Sequence, residues 1–128
     1  MVENRVFLGR FQSCDDLSEK MGQALDFVSS RLVRPDSRIY VKPNLTYPFY
    51  KPGVTTSPGF MEALVSRLVD TTRDVTFVES DGGAYAWPAH EAMAGHGLPD
   101  LCKRYGIKTL NLTNEPRRAV TLEVAGKE

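Results

Sequence analysis

Charged side chains follow two predicted strands at the points where those strands end. Lys42 comes directly after an apolar strand over residues 38–41, and Glu79 and Asp81 follow a second strand over residues 75–78. Ligands of open parallel sheets bind at the carboxyl ends of the strands. If the two strands are neighbours, the lysine lies within side-chain reach of the two carboxylates, and a small polar site is expected at this edge.

A lysine beside carboxylates can do two kinds of chemistry. It can keep its charge and bind an anion, or it can transfer protons when it is removed from water. Lys42 is therefore predicted to hold a small anionic metabolite, and Glu79 or Asp81 to move a proton. The alternative is a salt bridge that only ties two loops together, since perturbed ion pairs arise for both reasons.

The long loop over residues 42–57 leads into a predicted helix. Ser57 and Pro58 form the helix start, with serine as N-cap and proline in the first helical position. Hydroxyl groups and free N–H groups at a helix N-terminus can bind an anion. Capping alone explains Ser57, so Thr55 and Thr56 are the stronger ligand-binding candidates. The prolines and aromatic residues of this loop favour either a lid or a surface that docks another domain.

The loop over residues 79–88 adds glycines to the same edge. Gly82 and Gly83 could let the backbone approach a phosphate closely. Neither GxGxxG nor the phosphate-binding pattern GxxxxGK occurs after any strand, so the sequence does not support a nucleotide- or flavin-binding function. Trp87 follows the glycines and is expected either to line a pocket or to bury the loop against the sheet.

Metal-ligating residue types occur in one segment, but without a metal-binding spacing. His90 and His96 are six residues apart, which does not place both on one helix face, and HExxH is absent. They are expected to be exposed or capping residues, and no metal site is predicted. The two cysteines lie far apart without a CxxC motif, which indicates reduced thiols and a cytoplasmic location.

Hydrophobic periodicity predicts an alternation of strands and helices along the chain. The predicted strands cover residues 6–8, 38–41, 75–78, 107–112 and 120–124, and the predicted helices cover residues 17–34, 57–69, 88–94 and 99–105. Such alternation is typical of an α/β fold with a mainly parallel open sheet, here of four to five strands with helices on both faces. The length predicts a single domain over residues 1–128.

Overall charge and hydropathy exclude several classes of function. The sequence has 16 basic and 16 acidic residues and a net charge of +0, so it is not expected to bind nucleic acid through bulk electrostatics. It has no apolar run of about 18 residues and no apolar signal core near its start, so no membrane association is predicted. The classes of function that these features leave open are cytoplasmic enzymes and cytoplasmic binding modules.

Residues 39–111 resemble a widespread family, the domain of unknown function 362. The resemblance rests on three motifs in their expected order. They are VKPNL at residues 41–45, PGVTTSP at residues 52–58 before a helix, and an acidic glycine turn after the third strand, followed by a helix pair. The resemblance implies an α/β fold with a distant relationship to the lactate racemase fold, and it implies no settled activity.

The same resemblance bears on cofactors and on the choice of site residues. Some family members are joined to ferredoxin-type iron–sulfur modules, but this chain has no cysteine cluster, so that cofactor is not carried over. The family domain normally continues further, so the chain is interpreted as the N-terminal portion of a longer domain. The family motifs add Asn44 to Lys42, Thr55 and Thr56 as candidate ligand-binding residues.

Two classes of function are compatible with these features. The first is a domain, catalytic or formerly catalytic, that binds a small carboxylate or phosphate metabolite at the strand ends. The second is a non-enzymatic binding or assembly module, whose sheet is completed by a second copy, a partner chain or a second half-domain. The polar loops favour the first class, and the short length favours the second.

Overall fold

A computed structural model describes residues 6–29, 33–82 and 87–121 of the chain. The elements are α1 (Cys14–Ser29), β1 (Ile39–Val41), α2 (Pro58–Val69), β2 (Val75–Glu79), α3 (Ala89–Gly95), α4 (Leu98–Tyr105) and β3 (Lys108–Asn111), followed by a 3₁₀ turn over Leu112–Asn114. Strands and helices alternate, which confirms the predicted α/β class. None of the described helices is long and apolar enough to cross a membrane.

The three strands form one parallel sheet in the order β1-β2-β3. Val41 at the end of β1 lies opposite Phe77 in β2, and Glu79 at the end of β2 lies opposite Asn111 in β3. The strands are therefore parallel neighbours, and their carboxyl ends meet at one edge, as the sequence predicts.

The main core lies between β2 and the helices. Phe77 is fully buried and belongs to one apolar cluster with Met61 and Val65 of α2 and Leu98 of α4. The sequence forms α2 at this point because the Ser57 side chain accepts a hydrogen bond from the backbone N–H of the residue three positions later, and proline occupies the first turn. This packing fixes the position of β2, the central strand, which ends at Glu79 on the polar edge of the sheet.

The described helices cover one face of the sheet. Val75 and Phe77 point into the helical core, whereas Tyr40 in β1 lies on the opposite face and is 57% exposed. The strands follow one another across the sheet in the order β1, β2, β3, and the connection between each pair is a right-handed crossover. The helices of these two connections, α2 and the α3–α4 pair, therefore lie on the same face of the sheet. The predicted helices on both faces are therefore not found in the part of the chain that the structure describes, because a second layer needs a reversal of strand order.

Within residues 6–29, 33–82 and 87–121, the sheet also has fewer strands than expected. Residues 6–8 form no strand: Val6 and Leu8 are almost fully exposed, and the ring of Phe7 lies 5.9 Å from that of Phe27 in α1. That prediction was wrong because a three-residue apolar run can pack on a helix as readily as on a sheet. Of the strand predicted at 120–124, residues 120–121 are irregular and the remainder lies outside the described residues.

Candidate functional site

Lys42 and Glu79 form an ion pair across the carboxyl ends of β1 and β2. The lysine Nζ lies 2.8 Å from Oε1 and 3.0 Å from Oε2 of the glutamate. The glutamate side chain is only 12% exposed and also accepts the backbone N–H of Ser80 at 2.9 Å, whereas the lysine side chain is 59% exposed. The predicted proximity of these two side chains is confirmed, and a largely buried carboxylate holds an accessible ammonium group.

The ion pair lies in a cleft of about 240 Å³ at this edge of the sheet. Its polar side is formed by Lys42, Asn44, Thr46, Glu79 and Ser80, and Gly82 also lines it. Its apolar side is formed by Leu45, Trp87, Ala89 and Ala92. Residues of two loops and of the first turn of α3 therefore line the cleft, and each of these segments is attached to a buried element of the core.

Asp81 is separated from this pair by its own hydrogen bonds. Its Oδ1 accepts the backbone N–H of Ala89 at 2.7 Å and the side-chain amide of Asn111 at 2.9 Å, while its own N–H donates to Thr113 Oγ1 at 2.8 Å. The hydrogen bond from Ala89, followed by that from Asn111, lowers the pKa of the Asp81 carboxyl below its ordinary value. Asp81 thus fastens the start of α3 to the end of β3, and it does not line the cleft.

Asn44 joins the two ends of the long loop through hydrogen bonds to Thr56. Its backbone N–H donates to Thr56 Oγ1 at 2.9 Å, and the backbone N–H of Thr56 donates to the Asn44 carbonyl at 3.0 Å. The side-chain amide donates to the Val54 carbonyl at 2.8 Å, and Oδ1 accepts the hydroxyl of Thr46 at 2.7 Å. This asparagine shapes the loop that carries the cleft wall, and it also lines the cleft.

The other predicted hydroxyl ligands serve the loop and the helix start. The Thr55 side chain is buried, accepts the backbone N–H of Lys51 at 2.8 Å and donates to the carbonyl of the same residue. Ser57 caps α2, and neither Thr55, Thr56 nor Ser57 lines the Lys42 cleft. Of the two glycines proposed for the second loop, Gly82 lines the cleft and Gly83 lies outside the described residues.

The aromatic part of the long loop is docked on the turn between α3 and α4. The Tyr47 carbonyl lies 3.0 Å from Nε2 of His96, and because a carbonyl only accepts, this nitrogen carries the proton. A Cβ atom added to Gly95 would overlap the carbonyl of Pro48, so the loop backbone packs directly on the helix. His96 is 5% exposed, so it is not an exposed histidine, but it is the C-cap residue of α3, which was the other predicted alternative.

The remaining metal-ligating and nucleophilic types give no further site in the described ranges. No group of three or more His, Cys, Asp or Glu side chains there could hold a metal ion. His90 is exposed, and Cys102 is buried in α4. Burial raises the pKa of the Cys102 thiol to about 11, which keeps it protonated and a poor nucleophile.

Three residues of this region carry functions that sequence patterns did not indicate. Asn111 and Thr113 position Asp81, and His96 holds the long loop. The role of Asn111 could have been predicted from the sequence, because this residue ends the strand next to β2 and is paired with Glu79 in the sheet. The contacts of Thr113 and His96 depend on how a turn and a distant loop fold back, which no local spacing reports.

The architecture is that of an α/β domain with a polar cleft at the carboxyl edge of its parallel sheet. A comparison with protein families matches residues 39–128 to the family described as Domain of unknown function (DUF362). The match covers most of the chain, including all three strands, and the chain belongs to this family. Searches of curated proteins and of solved structures give no significant match.

Proposed function

We propose that the cleft binds a small anion, a carboxylate or phosphate metabolite, with Lys42 as its cationic ligand. The observation that carries the proposal is the Lys42–Glu79 pair, placed in a cleft at the carboxyl ends of two parallel strands. That edge is where ligands of open α/β sheets bind, because loops from neighbouring strands converge there.

The geometry of the pair leaves the lysine able to bind a ligand. An ammonium group has three N–H donors, and the two oxygens of Glu79 account for at most two of them. The buried glutamate fixes the ammonium at the cleft, so less side-chain entropy is lost when an anion binds. Charge-assisted hydrogen bonds of this kind are about twice as strong as neutral ones. The negative charge of Glu79 favours ligands with a single small anionic group.

If the cleft supports a reaction, Glu79 is the better candidate for moving a proton. It lines the cleft beside Lys42, and its two oxygens face the ammonium group. Asp81 has a lowered pKa and is committed to the α3 start and to Asn111, so it is poorly suited to donate a proton near neutral pH. The two carboxylates at the carboxyl end of β2 therefore have different roles: Glu79 lines the cleft, and Asp81 holds the surrounding elements together.

Replacing Lys42 with glutamine is expected to remove anion-dependent stabilisation of the fold. An anion present at ten times its dissociation constant stabilises the native state by about 1.4 kcal/mol, or roughly 5 °C in melting temperature. Thermal melts with acetate, lactate and phosphate, at constant ionic strength adjusted with chloride, should show this rise for the wild type and lose it in Lys42→Gln.

Arg38→Gln is the matched control for this experiment. Arg38 pairs with Asp74 at 2.9 Å and links the same two strands at their opposite ends, away from the cleft. Both variants remove one cross-strand ion pair, so both lose its structural contribution, but only Lys42→Gln should lose the response to anions. An anion response that persists in Lys42→Gln, or one absent from the wild type, would rule out the proposed site.

The sheet face that carries Tyr40 supports a second candidate, an assembly module that pairs with a second copy of the chain. This face carries Tyr40, 57% exposed, together with both charge signs, from Lys108 and from Asp74. Mixed charges let one surface complement itself across a two-fold axis. Sedimentation should then show a dimer that Tyr40→Glu dissociates, whereas Phe60→Glu on the exposed side of α2 leaves it intact. A monomeric wild type would exclude this candidate.

A further inference from the structure

We propose that the natural ligand of the cleft is a single-ring aromatic acid, whose anionic group meets Lys42 and whose ring stacks on Trp87. This inference rests on the proposed anion site and adds the chemical class of the ligand. It follows from the division of the cleft into a polar wall and an apolar wall that face the same space.

The apolar wall is built for a flat group. Ala89 and Ala92 are three residues apart on α3, so their side chains share one face of the helix, and both are almost fully buried beneath the cleft. Their methyl groups leave room that larger side chains would fill. Trp87 stands beside them with 48% of its surface exposed, so a large part of the indole remains accessible to a partner.

The size of the cleft suits a small partner. Its volume of about 240 Å³ is below the range of roughly 300–1,000 Å³ that is usual for drug-sized ligands. One aromatic ring with an acidic substituent suits this space. The polar wall accounts for the acid, through Lys42, and the exposed indole accounts for the ring, because aromatic rings stack with a measurable gain beyond area burial.

The distance between Lys42 and Trp87 is fixed by the elements to which they are attached. Lys42 follows β1 and is held by Glu79, while Trp87 lies two residues before the start of α3, which is fastened by Asp81. Both walls are thus attached to the same central strand through hydrogen bonds and an ion pair. A ligand that spans them gains both contacts without a large rearrangement of either element.

The test compares three acids that differ only in the group attached to the carboxylate: benzoate, cyclohexanecarboxylate and acetate. Trp87 is the only tryptophan of the chain, so its emission reports binding directly. We expect benzoate to bind about three- to tenfold more tightly than acetate and more tightly than cyclohexanecarboxylate, because only a planar ring stacks on indole. Saturating benzoate should also protect the indole from quenching by acrylamide.

Trp87→Leu separates the ring contact from the anion contact. Measured by calorimetry, this variant should bind acetate like the wild type and lose the preference for benzoate, while Lys42→Gln should weaken both acids. The acrylamide measurement uses the wild type alone and decides the matter if Trp87→Leu does not fold.

The possible failures are distinguishable. If acetate and benzoate bind equally well through Lys42, or if benzoate leaves the indole as exposed to acrylamide as before, the aromatic class is wrong and the anion site stands. If benzoate remains preferred in Trp87→Leu, the ring lies elsewhere and the stacking assignment fails. If no acid binds, or if Lys42→Gln changes nothing, the proposed function and this inference both fail.

Discussion

Replacing Gly95 with alanine is expected to lower the free energy of unfolding by about 3 kcal/mol, although the change adds only one methyl group. That methyl would overlap the Pro48 carbonyl oxygen and lie 2.5 Å from its carbon atom. Backbone atoms cannot move aside as a flexible side chain can, so either α3 or the long loop must shift. Overpacking of this kind costs about 1–3 kcal/mol, and loss of the adjacent hydrogen bond between His96 and Tyr47 adds about 1 kcal/mol.

The loop that would shift also carries part of the cleft. Leu45 and Thr46 line the cleft and precede the docked segment directly. We therefore expect Gly95→Ala to weaken anion binding as well as stability, even though Gly95 itself does not line the cleft. Urea denaturation gives the stability change, and the anion titration described above gives the change in affinity.

Gly59→Ala provides the matched control. Gly59 also lies in a helix, but a Cβ atom built on it has no neighbour within 4 Å. Alanine is a better helix former than glycine, so this variant should gain about 0.5–1 kcal/mol. If Gly95→Ala behaved like Gly59→Ala, the close packing of the long loop on α3 would be contradicted.

Replacing Asp81 with alanine is expected to produce the second large effect, by releasing the start of α3 from the end of β3. The carboxylate accepts hydrogen bonds from Ala89 and Asn111, and its loss leaves both donors without this acceptor. Melting temperature should fall by several degrees at neutral pH, and the apolar wall of the cleft should lose its fixed position because Ala89 belongs to it.

The effect of Asp81→Ala should depend on pH with a definite sign. Hydrogen bonds lower the native pKa of Asp81 below the ordinary value of 3.8, so the unfolded chain takes up its proton first as the pH falls. The stabilisation is therefore complete well above that ordinary value and is lost as the pH falls through the lowered native pKa. The stability difference between wild type and Asp81→Ala should be larger at pH 7 than at pH 3.

Asp100→Ala is a suitable comparison for this pH experiment. Asp100 is an exposed carboxylate in the first turn of α4, so its removal reproduces the loss of a negative charge near a helix start. It should cost far less than Asp81→Ala at pH 7. Equal costs, or a cost of Asp81→Ala that does not change between pH 7 and pH 3, would show that the hydrogen bonds of Asp81 are not important.

The approach of Lys42 to Glu79 was predictable because it follows from topology. Helix–strand alternation implies a parallel sheet, parallel neighbours align their carboxyl ends, and the residues that directly follow neighbouring strands must then meet. No side-chain detail is needed for this step. The same reasoning failed to separate Glu79 from Asp81, since two residues of irregular chain are enough to direct a carboxylate toward Asn111 instead.

The hydroxyl-rich segment before α2 shows a different limit. Thr55 and Thr56 suit an anion site by residue type, yet their oxygen atoms bond to Lys51 and Asn44 within the same loop. Serine and threonine side chains often satisfy nearby backbone groups, and a sequence does not reveal which groups a folded loop leaves unpaired. The position of His96 was unpredictable for the same reason, because its partner is a backbone carbonyl 49 residues away.

Two ion pairs lie at the two ends of the short ladder between β1 and β2. The ladder has three paired positions, with Arg38–Asp74 just before it and Lys42–Glu79 just after it. A slip of two residues would keep every side chain on its own face, so hydrophobic patterning alone does not reject it. It would, however, displace the partners by about 6.6 Å and break both pairs at once. The charges thus discriminate against a misaligned fold, and the residue proposed to bind the ligand also helps the chain choose the one alignment in which the cleft exists.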